Sequence, residues 1–489
     1  MKRSHNDCFE MPLKPDTSPD ASVTAAYASW AATAPREWAI DATHRAKRAL
    51  IDIVACMVPG ALDEASRTIR HVSATWGAGS CTVVGETRGQ SAPLAAFANG
   101  TAAHALDFDD NFDPAKAHIT AVVAPALFAL SEARAKTGAD VLDAYIVGLQ
   151  IAARVGQGLN PFHRNRGWHA TSTIGTLGAA VACGRLLNLN AVQMRHCLNM
   201  STSYAAGFMS QFGSMTKPLH AGKSAEAGVV CALLAEAGMS AGLETLDGPT
   251  GMAQLMVGPD IESLRTAATL SHEHGQTMRF DIASIGEPLA IVTHGLKVKR
   301  FPTCASTHRA LDGVLQLKAT HHFTANDVIA VNVFAPTSHF NNLMYTNPQD
   351  GMQAKFSMEF CLAVALCNGG VGLSDFTPEA VANNRFRSIM PLIHRHPVDK
   401  SESEFPTRVE ISLSSGGNYS ITIDAPKGRA DNPLSDDELC DKLRQCCRGV
   451  LDVARTQHLI EALNRIDGPQ HIATLMALLR FNTTPTKLN

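Results

Sequence analysis

Apolar residues recur at three- and four-residue spacing through most of the first half of the chain, the period of helices that bury one face. In Ala42–Met57 (ATHRAKRALIDIVACM) Ala46, Leu50, Ile53 and Val54 share a face, and Pro59-Gly60 supplies the stop. The same period predicts helices over Leu94–Leu106, Ala121–Thr137, Val141–Gly156, Thr171–Leu187 and Lys223–Ala237. Several are rich in Ala and Gly and apolar nearly all round, as helices inside a large helical domain are. After about residue 275 the period changes. Val328–Ala335, Arg408–Leu413 and Tyr419–Ile423 alternate in twos, the mark of half-buried strands. Ser-Ser-Gly-Gly-Asn between the last two predicts a hairpin. Helical periodicity returns from Ser435, where Ser435 and Glu438 make a capping box. The expected layout is mainly α with a smaller α+β domain. It comprises a leader at 1–21, a helical domain at 22–274, an α+β part at 275–428, and helices at 429–489 that pack back on the helical domain.

Composition adds boundaries. A chain of 489 residues exceeds one compact core, so two domains are expected. Its 45% hydrophobic and 18% charged residues are ordinary for a globular protein. A net charge of −3, with no basic run carrying interleaved aromatics, argues against nucleic acid as a partner. Apolar stretches such as Ala121–Leu130 fall short of the ~18 residues that cross a bilayer, so no membrane is expected. Asp7, Glu10, Pro12, Pro15 and Asp16 fall within the first twenty residues, which hold no apolar block. That composition reads as a disordered leader and not a secretory signal. The twelve cysteines are scattered, many inside apolar helical patterns (Cys56, Cys183, Cys231), with no CxxC. A reducing, cytoplasmic compartment is the simplest expectation.

Three common chemistries fail on pattern. Gly77-Ala-Gly79 does not complete a dinucleotide-binding GxGxxG, and neither a GxSxG elbow nor a P-loop occurs. The pairs His272/His274, His321/His322 and His394/His396 lack metalloprotease context and read as solvated loop or helix-end histidines. The informative stretch is His104–Pro125, HALDFDDNFDPAKAHITAVVAP. Asp107, Asp109 and Asp110 crowd the end of an apolar helix, where negative charge opposes the macrodipole. His118 follows at the entry to the next helix. His169 in Gly167-Trp168-His169 interrupts apolar sequence, Lys217 and His220 lie in a predicted turn, and Lys297–His308 is basic and histidine-bearing near the domain change. Singly, each has an ordinary structural reading as a solvated helix end or a capped core histidine.

Together, DFDD…H, GWHAT, TKPLHAG and KRFPTC…TH resemble the MmgE/PrpD family over residues 22–480 or so. That family includes cis-aconitate decarboxylase, 2-methylcitrate dehydratase and iminodisuccinate epimerase. The resemblance implies a large all-helical domain, an α+β lid domain, a homodimer, and a site between the domains. It implies catalytic roles for His118, Asp107, His169 and Lys217. It implies substrate contacts from Lys299, His220, His308, Asp110 and Asn111. Asn111 stands where many relatives carry Thr, and some aconitate decarboxylases place the histidine one residue nearer the aspartates than His118 is. No metal and no organic cofactor are expected.

The chemistry of these residue types agrees. Decarboxylation, dehydration and epimerisation of a small polycarboxylate all pass through a carbanion-like centre beside a carboxylate. Histidine titrates near neutral pH and suits proton transfer. An aspartate can hold its tautomer, and lysines supply fixed charge for substrate carboxylates. The expectation is a lyase on an aconitate- or citrate-like acid. An epimerase of an iminodisuccinate-like acid is the alternative, and a non-catalytic binding protein on the same fold the rival of another class.

Overall fold

Six of the helices foreshadowed by the apolar period form the heart of the molecule: Ile40–Gly60, Ala92–His104, Thr120–Ala133, Gly138–Leu159, Ala170–Leu186 and Thr216–Glu236. The computed structural model describes residues 22–258, 260–271, 278–399 and 405–482. The expected leader at 1–21 and the His272/His274 pair lie outside the described residues.

Small residues let these helices approach closely. A Cβ at Gly222 would stand 2.4 Å from the Phe97 carbonyl oxygen, and one at Gly228 would stand 2.5 Å from the Ala179 Cβ. Helix Thr216–Glu236 therefore lies directly against Ala92–His104 and Ala170–Leu186, the two helices whose ends carry His104 and His169. That helix also starts earlier than its apolar pattern suggests. Lys217 and His220 sit in its first two turns, not in a turn between helices. Pro218 is no obstacle there, because the first turn has no intrahelical partner for its missing N–H.

Two hydrophobic cores are present among the described residues. The first runs from Tyr27 to Val298 and resumes from Leu434 to Leu479, so the C-terminal helices do pack on the helical part. The second spans Phe301 to Leu413. Residues 278–298, assigned to the α+β part on the change of period, thus contribute Met278, Phe280, Ile285 and Ile291 to the first core. The four-stranded sheet has the order β2-β1-β3-β4, with β1 Val328–Pro336, β2 Ile393–Val398, β3 Thr407–Leu413 and β4 Asn418–Ile423. β1 pairs antiparallel with β3 and parallel with β2. The predicted hairpin joins β3 and β4, with Gly416 at φ 88° where a side chain would be strained. β2 was not legible, because IHRHPV neither alternates nor is apolar. It is an edge strand, where Pro397 is tolerated, and the pair His394/His396 lies on it, with His396 Nε2 2.8 Å from Asn332 Oδ1. No helix among the described residues is long and apolar enough to cross a membrane.

Candidate active site

The helix Ala92–His104 ends and the chain turns through Asp107, whose φ of 53° is a left-handed value that aspartate tolerates better than most residues. This turn sends the three aspartates in three directions. Asp107 meets the lysines: Lys217 Nζ stands 2.5 Å from Oδ1, and Lys299 Nζ 3.0 Å from Oδ2 with a further bond to the Asp107 carbonyl. Burial alone would raise the Asp107 carboxyl, but Lys217 and Lys299 carry it well below the ordinary range. Asp109, wholly buried, faces two imidazoles, with Oδ2 2.9 Å from His104 Nδ1 and 3.1 Å from His118 Nδ1. These histidines outweigh desolvation and keep Asp109 ionised.

Asp110 turns into the core instead. It accepts a 2.7 Å bond from Thr120 Oγ1, which also meets Tyr145 Oη, and burial with Asp52 nearby pushes its carboxyl well up. Asn111 acts through its backbone, which exchanges two 2.9 Å hydrogen bonds with Lys297. That short bridge ties the DFDD loop to the segment bearing Lys299. His308 is buried behind Lys299, its ring edge-on to Phe301 and its Nε2 3.3 Å from the Thr303 carbonyl. Burial and the charge of Lys299 lower its pKa to about 3. So Asp107, His118, His169, Lys217, Lys299 and His220 converge, whereas the side chains of Asp110 and His308 lie beneath the site.

His169, at the start of helix Ala170–Leu186, places Nδ1 2.9 Å from His220 Nδ1, with its ring 6.0 Å from His104 and edge-on to Phe212 at 4.9 Å. Burial and the neighbouring cations lower the pKa of both His169 and His220. Both are therefore neutral, and one must donate to the other.

Three residues enter that the sequence did not single out. His104 pairs with Asp109 of the aspartate cluster. Lys355, at the end of helix Gly351–Lys355 in the second core, donates a 3.2 Å bond across to the Leu106 carbonyl. Burial lowers its pKa to about 8, although Asp107 resists that fall. Lys442, on the C-terminal helix Asp436–Cys447, donates to Asp52 Oδ1 at 2.6 Å and to the carbonyls of Phe108 and Lys299 at 2.9 Å each. It holds the backbones of both site segments. The available signal was a lysine on the apolar face of its helix, three residues after Leu439 and four before Cys446. Nothing local marked Lys355.

His104, Asp107 and His118 offer ligand atoms within 4.8 Å of one another. That set does not fit a divalent ion, because both Asp107 oxygens already face ammonium groups.

The parts of the chain that build the two cores match known domains. Residues 25–264 match the MmgE/PrpD N-terminal domain and residues 301–467 the MmgE/PrpD C-terminal domain. The chain belongs to the MmgE/PrpD family. It is 26% identical to cis-aconitate decarboxylase of Homo sapiens, over 90% of this chain and 91% of that protein. It is 25% identical to a cis-aconitate decarboxylase-like protein of Aspergillus oryzae, over 95% and 98%. It is also 25% identical to cis-aconitate decarboxylase of Aspergillus terreus, over 95% and 97%. Two of these MmgE/PrpD relatives are named decarboxylases and the third decarboxylase-like, and the epimerase alternative draws no support from them.

The buried histidines give this family member an acid-sensitive element that can be checked apart from activity. His163, fully buried against Thr173 and Trp168, has its pKa lowered by burial from 6.5 to about 4. Between these values the unfolded chain binds a proton that the folded chain refuses. That contribution to stability is present above pH 6.5 and falls away toward pH 4. The thermal midpoint of His163→Gln is expected to depend less steeply on pH across this window than that of the wild type. Identical slopes would show that His163 is not held neutral.

Proposed function

We propose that this protein is a cofactor-independent lyase that decarboxylates a small unsaturated polycarboxylate of the cis-aconitate type. The observation that carries this reading is a charge imbalance. Lys217 and Lys299 share a single carboxylate, Asp107, and Lys355 stands within electrostatic reach of it and of Asp63 without an ion pair to either among the described residues. Buried ammonium groups need partners, and a substrate with two or three carboxylates supplies them. Beside this cluster His118 is partly exposed, with Asp109 behind it to balance an imidazolium. In the reaction the bond to one carboxylate breaks, CO₂ leaves, and the electron pair spreads towards a remaining carboxylate held by lysine. His118 delivers the proton to carbon. His169, neutral and hydrogen-bonded to His220, is the second group placed to exchange a proton. The names of the relatives support decarboxylation over loss of water.

A panel of di- and tricarboxylates followed by proton NMR in D₂O tests the reading. The expected result is loss of CO₂ with one deuterium in the product. Loss of water, deuterium exchange without CO₂ release, or no turnover of any acid would each overturn it. Activity is also expected to survive exhaustive dialysis against a chelator, since lysines and not a metal neutralise the carboxylates. Loss on chelation with recovery on adding Mg²⁺ or Mn²⁺ would reassign His104, Asp107 and His118 to a cation.

A homodimer is part of the same proposal. Tyr204, Phe208, Phe212 and Met215 are 46, 54, 42 and 53% exposed along one stretch beside His169, an apolar run that a second copy would cover. Light scattering is expected to return twice the 52.1 kDa chain mass, and a monomer at micromolar concentration would refute it.

A further inference from the structure

His104 is the most enclosed of the site histidines, with no side-chain exposure against 13% for His118. Its Nδ1 stands 2.9 and 3.1 Å from the two oxygens of Asp109, and its ring lies 4.6 Å from that of His118. Its Nε2 is buried without a hydrogen-bond partner. The charged and titratable groups around it are Asp109, Lys217 and His118, with Asp107 and His169 close by.

This geometry fixes where the protons are. A neutral imidazole carries one N–H. Burial holds His104 neutral, with its pKa lowered to about 4, and Asp109 is ionised. The single proton of His104 therefore sits on Nδ1 and is donated to Asp109, leaving Nε2 bare. The Asp109 oxygen nearest His104 is the one that also faces His118 Nδ1. One carboxylate stands between two imidazoles in unequal settings: the wholly enclosed His104 is hydrogen-bonded to it, whereas His118, 13% exposed, approaches Oδ2 at 3.1 Å without a hydrogen bond at Nδ1.

We infer that His104 is a positioning residue, which by donating its Nδ1–H to Asp109 holds that carboxylate in line with His118 during proton transfer. The inference rests on the role proposed for His118. It differs from the ordinary reading of a buried histidine that merely ties a helix end to a loop. A tie of that kind affects stability but not turnover, and either role ends at Nδ1.

Two substitutions separate the possibilities. Asparagine puts its amide nitrogen close to the place of histidine Nδ1 and can still donate to Asp109, whereas phenylalanine keeps the ring and loses the donor. His104→Phe is expected to lower kcat about 10- to 100-fold, the usual loss when an orienting hydrogen bond behind a functional group is removed. KM should move less than about threefold, because the substrate contacts remain. His104→Asn is expected to keep most of the wild-type kcat. A folded His104→Phe protein with wild-type kcat would overturn the inference. Equal damage in His104→Asn would also overturn it, by showing that Nε2 itself acts. Nitrogen-15 NMR of wild-type protein labelled in histidine, assigned through Asp109→Asn, reads the tautomer without altering residue 104. A proton on Nδ1 agrees with the inference and one on Nε2 refutes it. Failure of the wild type to turn over any polycarboxylate would count against the lyase reading, while the tautomer still reports on His104.

Discussion

Replacing His118 by alanine is expected to lower turnover of a polycarboxylate at least about 100-fold, the scale of lost acid–base catalysis, while the fold survives. The asymmetry follows from what His118 touches. Its side chain is 13% exposed and its ring meets Asp109 and His104, but it fills no part of either hydrophobic core. Its backbone N–H bonds Thr171 Oγ1 at 3.1 Å, a contact alanine keeps. Asp109 retains its donor from His104, so no buried carboxylate is stranded. His169→Ala is expected to cost as much activity, but there the loss of the His220 partner and of the Phe212 contact also disturbs local packing. Steady-state kinetics beside a melting curve checks both. A well-folded His118→Ala protein with near-normal turnover would remove that residue from the mechanism.

The second large effect concerns the lysines. Lys217→Ala and Lys299→Ala are each expected to reduce kcat/KM on polycarboxylates about 10- to 100-fold. This corresponds to one charge-assisted hydrogen bond, about 1.5–3 kcal/mol. Removing either ammonium leaves Asp107 to neutralise the other, so the surplus positive charge falls by one and a substrate carboxylate loses its partner. Lys299→Ala spares the bond that Lys442 makes to the residue 299 carbonyl, which belongs to the backbone. Lys217→Arg is expected to rescue only in part, because a planar fork cannot take the place of a compact ammonium 2.5 Å from Asp107 Oδ1. Equal turnover of monocarboxylates of similar size by the wild type would show that these lysines do not clamp carboxylates.

Much of the architecture was legible along the chain. Each of the six central helices announced itself because an element that buries a face must repeat its apolar residues with its own period. The strands β1, β3 and β4 did so for the same reason. β2 did not, because its place in the sheet comes from parallel pairing with β1 and not from a buried face of its own. The end of the first core near Val298 was also hidden, since irregular segments such as 278–298 bury side chains without any period.

The candidate site divides in the same way. The sequence alone determined which residue types were available and, through the motifs HALDFDD, GWHAT, TKPLHAG and KRFPTC, which segments carry them. It could not decide which aspartate serves which partner. Asp107, Asp109 and Asp110 are neighbours in the chain, yet they face lysines, imidazoles and a threonine in turn. The left-handed turn at Asp107 rotates each carboxylate differently, and their partners arrive from helices far away in sequence. The assignment of Asp109 rather than Asp107 to His118, the reach of Lys355 from the second core, and the grip of Lys442 on two site backbones belong to the tertiary structure alone. Local sequence encodes period and propensity. A charge finds its partner only when packing brings distant segments within about 3 Å, the length of a hydrogen bond.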